Sequence, residues 1–194
     1  DSGFLTLDGA QPSTGASKAF KGIGGASPRT FCCWVKIGGL SDNHGILGMG
    51  GTADYTYFNV YLNSSERVVV ETKSCSVIFE TQISTSATHI VVVVDTENSV
   101  NTLLTATRCF INGSETFIMS TTTPYNEIAT DSNTNNLFVG KCSVGGSSTK
   151  YFSGYLDDIR LYNRALSYDE IKEIYNNGGG SYTSISPYQK ALSL

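Results

Sequence analysis

Tyr151-Phe152-Ser153-Gly154-Tyr155-Leu156-Asp157-Asp158-Ile159-Arg160-Leu161-Tyr162-Asn163-Arg164-Ala165-Leu166-Ser167-Tyr168-Asp169-Glu170-Ile171 reads as a strand running into a short, capped helix. Leu156, Asp158, Arg160 and Tyr162 fall on one face of an extended segment and Asp157, Ile159 and Leu161 on the other, the two-residue period of a sheet strand. The period then changes. Ser167 with Glu170 three residues on forms a capping box, which satisfies backbone donors at a helix start, and Ile171, Ile174 and Tyr175 supply an apolar stripe. Asn177 and Gly178 end the helix.

Outward from this segment the chain repeats one pattern: short alternating or apolar runs separated by turn residues. Strands are predicted at Phe4 to Leu7, Lys18 to Lys21, Phe31 to Ile37, Gly45 to Met49, Tyr57 to Leu62 and Val68 to Thr72. Others follow at Val77 to Thr81, His89 to Asp95, Leu104 to Ile111, Thr116 to Ser120, Leu137 to Lys141 and Tyr151 to Tyr162. Asn112-Gly113 suits a two-residue hairpin because both residues tolerate positive φ. Many short strands with a turn between nearly every pair predict an all-β sandwich of antiparallel sheets.

The closing segment resembles the end of the laminin G-like, concanavalin A-like jelly-roll family, in which a Phe-x-Gly-x-Leu-Asp-acidic strand precedes an Asn-Arg-Ala-Leu-Ser turn and a short helix. Phe4 to Gly9, Phe31 to Lys36 around Trp34, His89 to Asp95 and Cys109 to Gly113 follow the family's order, so the resemblance spans residues 4 to 177. Ala87 stands where the family usually has tryptophan. The resemblance implies a two-sheet antiparallel jelly roll with one short helix near the C terminus. It also implies a structural calcium site, with Asp157 of the last strand and backbone oxygens near Asp8 and Gly9; hard oxygen donors suit that ion. Without metal, Asp157 would accept backbone hydrogen bonds or pair with Arg160 or Arg164.

A chain of 194 residues, 40% hydrophobic, is long enough for one two-sheet domain over residues 1–177, followed by a glycine-hinged extension at 178–194. Tyr182, Ile185, Tyr188, Leu192 and Leu194 give that extension apolar surface, so it either docks, on its own domain or on a second copy, or frays. The net charge is −4, and 13 Lys+Arg are scattered without a run, which argues against a nucleic-acid surface. No run approaches the roughly 20 apolar residues of a membrane helix, and since the first residues are not a charged-then-apolar leader, any secretion signal is expected to have been removed or to lie outside these residues. Five cysteines cannot all pair within one chain, and they are read either as buried thiols or as one or two disulfides with a thiol left over. Cys32 and Cys33, adjacent on a strand, must point to opposite faces.

Catalytic patterns are absent. No strand carries the Glu-x-Asp-x-x-Glu run of jelly-roll polysaccharide hydrolases, and Asp169, Glu170 and Glu173 fall on the predicted helix, where early acidic residues complement its dipole. His44 reads as an exposed turn residue and His89 as a structural hydrogen-bonding residue at a buried strand. Gly22-Ile23-Gly24-Gly25 and Gly48-Met49-Gly50-Gly51 read as turns. Tyrosines offer flat faces for sugar rings, so Tyr55 and Tyr57 beside Asp54 and Asn59, with Tyr125 in a polar loop, are the candidate ligand contacts. Asn63 and Asn112 fit the glycan-acceptor triplet.

These readings predict a non-enzymatic recognition or adhesion module on an extracellular, cell or virion surface, binding a glycan or protein, with calcium as an assisting ion. Two further readings are a subunit of a filament, tail or capsid that self-assembles through residues 181–194, and an accessory domain of a carbohydrate-active enzyme.

Overall fold

A computed structural model of the chain describes residues 5–8, 23–39, 43–50, 57–72, 75–97, 103–122, 128, 130, 136–144 and 148–177. The elements begin with β1 (Leu5–Asp8), β2 (Arg29–Ile37), β3 (His44–Gly50), β4 (Tyr57–Leu62), β5 (Arg67–Thr72), β6 (Cys75–Gln82) and β7 (Thr88–Val94). A single helical turn, α1 (Leu103–Ala106), leads into β8 (Thr107–Ile111), β9 (Ser114–Thr116) and β10 (Ile118–Thr122). The chain continues through β11 (Asn136–Val139), β12 (Lys141–Val144), β13 (Ser148–Tyr151), β14 (Gly154–Tyr162) and α2 (Tyr168–Asn177).

Two antiparallel sheets face each other, one ordered β1-β11-β3-β4-β5-β6-β10 and the other β14-β2-β7-β8-β9, with β12 and β13 forming a separate hairpin. Alternate residues of facing strands make the core between them: Phe31, Cys33, Val35 and Ile37 from β2, Phe58, Val60 and Leu62 from β4, and Ile90, Val92 and Val94 from β7. The remaining β7 residues, Val91 and Val93, join Cys32, Phe110, Leu166 and Ile171 in a second cluster beneath α2. That explains why residues 90–94 are apolar without alternation: the strand is buried on both faces. Ile171 is fully buried, which stabilises the docked helix by about 2–3 kcal/mol. The capping box forms, with the Ser167 amide donating to Glu170 Oε2 at 2.8 Å and the Glu170 amide to Ser167 Oγ at 3.3 Å.

Four sequence expectations change in detail. Leu103 and Ala106 plug the core from α1, so the strand expected from Leu104 begins only at Thr107. The run from Thr116 to Ser120 crosses from one sheet to the other at the exposed Phe117. His44 is buried at the start of β3, its Nδ1 accepting from the Ser153 amide at 3.4 Å and its ring tilted on Phe152. Gly48 and Gly50 lie inside β3 rather than in a turn. Cys32, Cys33, Cys109 and Cys142 are free buried thiols, and Cys75 is buried as well; Cys32 and Cys33 do point to opposite layers. The strand expected at Lys18 to Lys21 and the extension 178–194 lie outside the described residues.

β14 departs most from its sequence pattern. Asp157 is in register with Trp34 and Arg160 with Cys32, so Asp158 and Ile159 together oppose the single residue Cys33. Asp158 takes φ 46°, a conformation aspartate tolerates better than most residues. This bulge reverses the alternation, and Leu156 and Leu161, predicted on opposite faces, both pack on the core.

Candidate functional site

Strand β4 alternates Tyr57, Asn59 and Tyr61 on its outer face with Phe58, Val60 and Leu62 on its core face. Asn59 is in register with Glu71 of β5, a lone carboxylate closing the apolar run Val68-Val69-Val70. The two neighbouring tyrosines clamp it. The Tyr57 hydroxyl donates to Glu71 Oε1 at 3.2 Å and the Tyr61 hydroxyl to Oε2 at 2.9 Å. Burial, with Glu71 beside it, pushes the Tyr61 phenol above its ordinary range, so it remains a donor.

The β12–β13 hairpin lies across this face. A methyl group on Gly45 would overlap the Lys150 carbonyl, and one on Gly48 would press to 3.1 Å from the Lys141 carbonyl and 3.2 Å from Cys142 Cα. Two glycines in β3 are thus what lets the hairpin rest directly on the sheet. Cys142 packs with Tyr61 and Val69, and burial pushes its thiol up to about 12. Lys150 places Nζ 3.6 Å from the centre of the Tyr61 ring, and burial lowers its pKa. At the hairpin's base Lys141 stands over Phe138 at 4.7 Å and near Tyr151 at 5.9 Å, with Tyr151 itself 41% exposed.

Of the residues singled out in the sequence, Tyr57 and Asn59 do share this face, yet they are 7% and 2% exposed. Period 2 fixes a shared face but not whether that face is covered. Asp54, Tyr55, Tyr125 and Gly9 lie outside the described residues. Glu71, Lys141 and Lys150 had not been singled out. A charge interrupting an apolar run was the one available signal for Glu71, whereas Lys150 follows a Gly/Ser-rich stretch with no pattern.

Asp8 ends β1 and Asp157 stands in β14, the edge strands of the two sheets. Asp157 Oδ1 accepts from the Asp158 amide at 2.8 Å, and Asp158 holds Arg160 through two bonds of 2.7 and 2.8 Å. Among the described residues no group of three His, Cys, Asp or Glu side chains is placed to hold a metal ion together. The side-chain oxygens of both acceptor triplets are engaged: Asn63 Oδ1 receives the Ser65 and Arg67 amides, and Asn112 Oδ1 the His89 amide.

A second polar cluster lies under α2. His89 is fully buried against Trp34 and Tyr175, and among the described residues neither of its ring nitrogens nor Trp34 Nε1 has a hydrogen-bond partner. The hydrogen bonding expected of His89 runs through its backbone, which exchanges bonds with Asn112.

The Laminin_G_3 family model, described as the concanavalin A-like lectin/glucanases superfamily, matches residues 11–172. No curated protein matches the chain in sequence. Among solved structures it is similar to the CBM40 module of the Ruminococcus gnavus IT-sialidase, at 16% identity and TM-score 0.58 over 77% of this chain and 83% of that one. Domain 4 of AbnA, a GH43 extracellular arabinanase from Geobacillus stearothermophilus in complex with arabinotriose, is 19% identical, with TM-score 0.56 over 79% and 68%. The heptameric SAP-like pentraxin of Limulus polyphemus is 14% identical, with TM-score 0.52 over 79% and 71%.

Proposed function

Since the chain belongs to the concanavalin A-like lectin/glucanases superfamily, we propose that it is a non-catalytic glycan-recognition module acting outside the cell. Its ligand is read on the outer face of the seven-stranded sheet, around the β12–β13 hairpin. The observation that carries this reading is the setting of Glu71. A glycosidase needs a second carboxylate within about 5–10 Å, whereas the register positions flanking Glu71 are Asn59 and Ser76. With both oxygens taking tyrosine hydroxyls, Glu71 fixes two rings in place. Tyr151, 41% exposed, supplies an aromatic ring on which a sugar ring packs, and Asp54, Tyr55 and Tyr125 are proposed as further contacts. The similar R. gnavus module is described bound to α2,3-sialyllactose and the arabinanase domain to arabinotriose, which supports a saccharide ligand here. Among the described residues no helix is long and apolar enough to cross a membrane.

Calorimetric titration against a panel of oligosaccharides tests the reading. At least one is expected to bind, and Tyr151→Ala to weaken it about tenfold with no change in melting temperature. A panel with no binder at millimolar concentration removes the proposal.

A calcium ion held by Asp157 with Asp8 and the Gly9 carbonyl is proposed as a tie between the two edge strands. Asp157 Oδ2 is its donor on β14, since Oδ1 already accepts the Asp158 amide. Millimolar calcium is then expected to raise Tm in the parent and not in Asp157→Asn. Equal melting with calcium and with chelator excludes the ion.

A further inference from the structure

We propose that residues 181–194 dock on their own domain, on the margin formed by Ser114–Thr122, with Ser181–Ser186 added as a strand beside β10. The proposal is independent of any saccharide ligand. β9 and β10 are end strands of the two sheets, and the chain passes directly from one to the other at Phe117. Among the described residues nothing pairs with the far side of β10. Natural proteins blunt such an open row of amides and carbonyls with lysine, proline or a bulge. Here Ser114–Thr122 contains no lysine or proline, and its one charge, Glu115, is held by Arg108 through bonds of 2.7 and 2.9 Å. A register shift between Ile118 and Ser120 interrupts the pairing once and leaves Ser120, Thr121 and Thr122 regularly paired on β6. Apolar surface lies along the same margin. Phe117 and Met119 are 71% and 51% exposed, while Ile118 between them packs against the core.

The helix delivers the extension to this margin. Tyr175, in the last turn of α2, packs against Gly113, where a methyl group would lie 2.9 Å from Tyr175 Cδ1. The extension therefore leaves the helix beside the turn that opens β9. Residues 113–122 span at most about 30 Å and residues 178–194 reach about 50 Å when extended, so the whole margin is within range. Gly178, Gly179 and Gly180 let the chain turn off the helix without a steric penalty. Ser181–Ser186 carries no charge to desolvate, and Pro187, which has no amide hydrogen, ends the pairing. Tyr182, Ile185 and Tyr188 supply apolar surface to cover Phe117 and Met119. A tethered segment meets the edge at a high effective concentration, which favours the same chain over a second copy as the occupant.

Amide exchange followed residue by residue by NMR compares the full chain, a chain shortened after Gly180, and the full-length double variant Phe117→Ser/Met119→Ser. In the full chain the outward amides of Ser120–Thr122 should exchange about tenfold more slowly than in the shortened one. Both substituted side chains are exposed, so the double variant should fold, and its residues 182–186 should exchange about tenfold faster than in the parent. Sedimentation of the parent should give the mass of one chain. Equal exchange at Ser120–Thr122 with and without the extension overturns the docking, as does unchanged exchange of residues 182–186 in the double variant. A parent dimer that separates on shortening assigns the edge to a second copy and overturns docking within one chain.

Discussion

Gly154→Ala is expected to destabilise the domain by about 3 kcal/mol or more. Gly154 opens β14 at φ +137°, and its Cα lies so close to β2 that an added methyl would overlap the Lys36 carbonyl. The same methyl would meet the Gly38 amide nitrogen at 2.8 Å and Ile37 Cα at 3.0 Å. All three obstacles are backbone, so no side chain can rotate away to make room. Relief requires parting β14 from β2 where Gly154 pairs with Ile37, which also disturbs the bond from the Gly38 amide to the Ser153 carbonyl and the buried Phe152 beside it. Gly39→Ala is the control: it has nothing within 4 Å and its stability should shift by less than about 0.5 kcal/mol. Urea unfolding measures both. A loss at Gly154 no larger than at Gly39 would show that close approach is not why glycine stands there.

The same stretch shows how far sequence reading reaches. Phe152-Ser153-Gly154 was legible through the family resemblance, and the capping box and Asn112-Gly113 because each is a local device, fixed by atoms within a few residues. The hairpin forms as expected, with φ 51° and 73° at Asn112 and Gly113. The bulge at Asp158 was not legible, because an alternating pattern through Asp157-Asp158-Ile159 scores well in either phase and only the facing residues of β2 decide it. Leu103 to Ala106 likewise satisfies the core as a helical turn as readily as a strand end. At the candidate site, Tyr57 and Asn59 were placed on the right face by period. The hairpin over that face depends on two glycines in β3 meeting carbonyls about a hundred residues later, a contact no local pattern encodes. Lys150 gains its character only there: exposed it would be an ordinary lysine, and the sheet beneath makes it a desolvated cation.

His89 gives the fold a second large and measurable effect, in its response to acid. Its ring lies between Trp34 and Tyr175, 5.2 and 5.8 Å from their centres, in a layer closed by α2. Burial holds its pKa down to about 4; Asp158 opposes and Arg160 reinforces that shift. The unfolded chain binds a proton there near pH 6.5. Between these values the unfolded state takes up a proton that the native state refuses, so stability falls as pH drops from about 6.5 to 4 and is flat in this group below that. At 1.36 kcal/mol per unit the loss is roughly 3 kcal/mol. Glu115 and Glu170, both held below the ordinary carboxylate range by arginine partners, lose their contributions only at lower pH, so the two windows separate. Trp34 is the one tryptophan in the chain, and it stacks on Tyr175 of the helix, so its fluorescence reports undocking of α2 directly. Unfolding free energies followed by that signal should decline from pH 6.5 to 4 in the parent and run nearly level in His89→Phe, which keeps the aromatic packing and removes the titrating nitrogens. An undiminished slope in His89→Phe would assign the acid sensitivity to another group and remove His89 from the account.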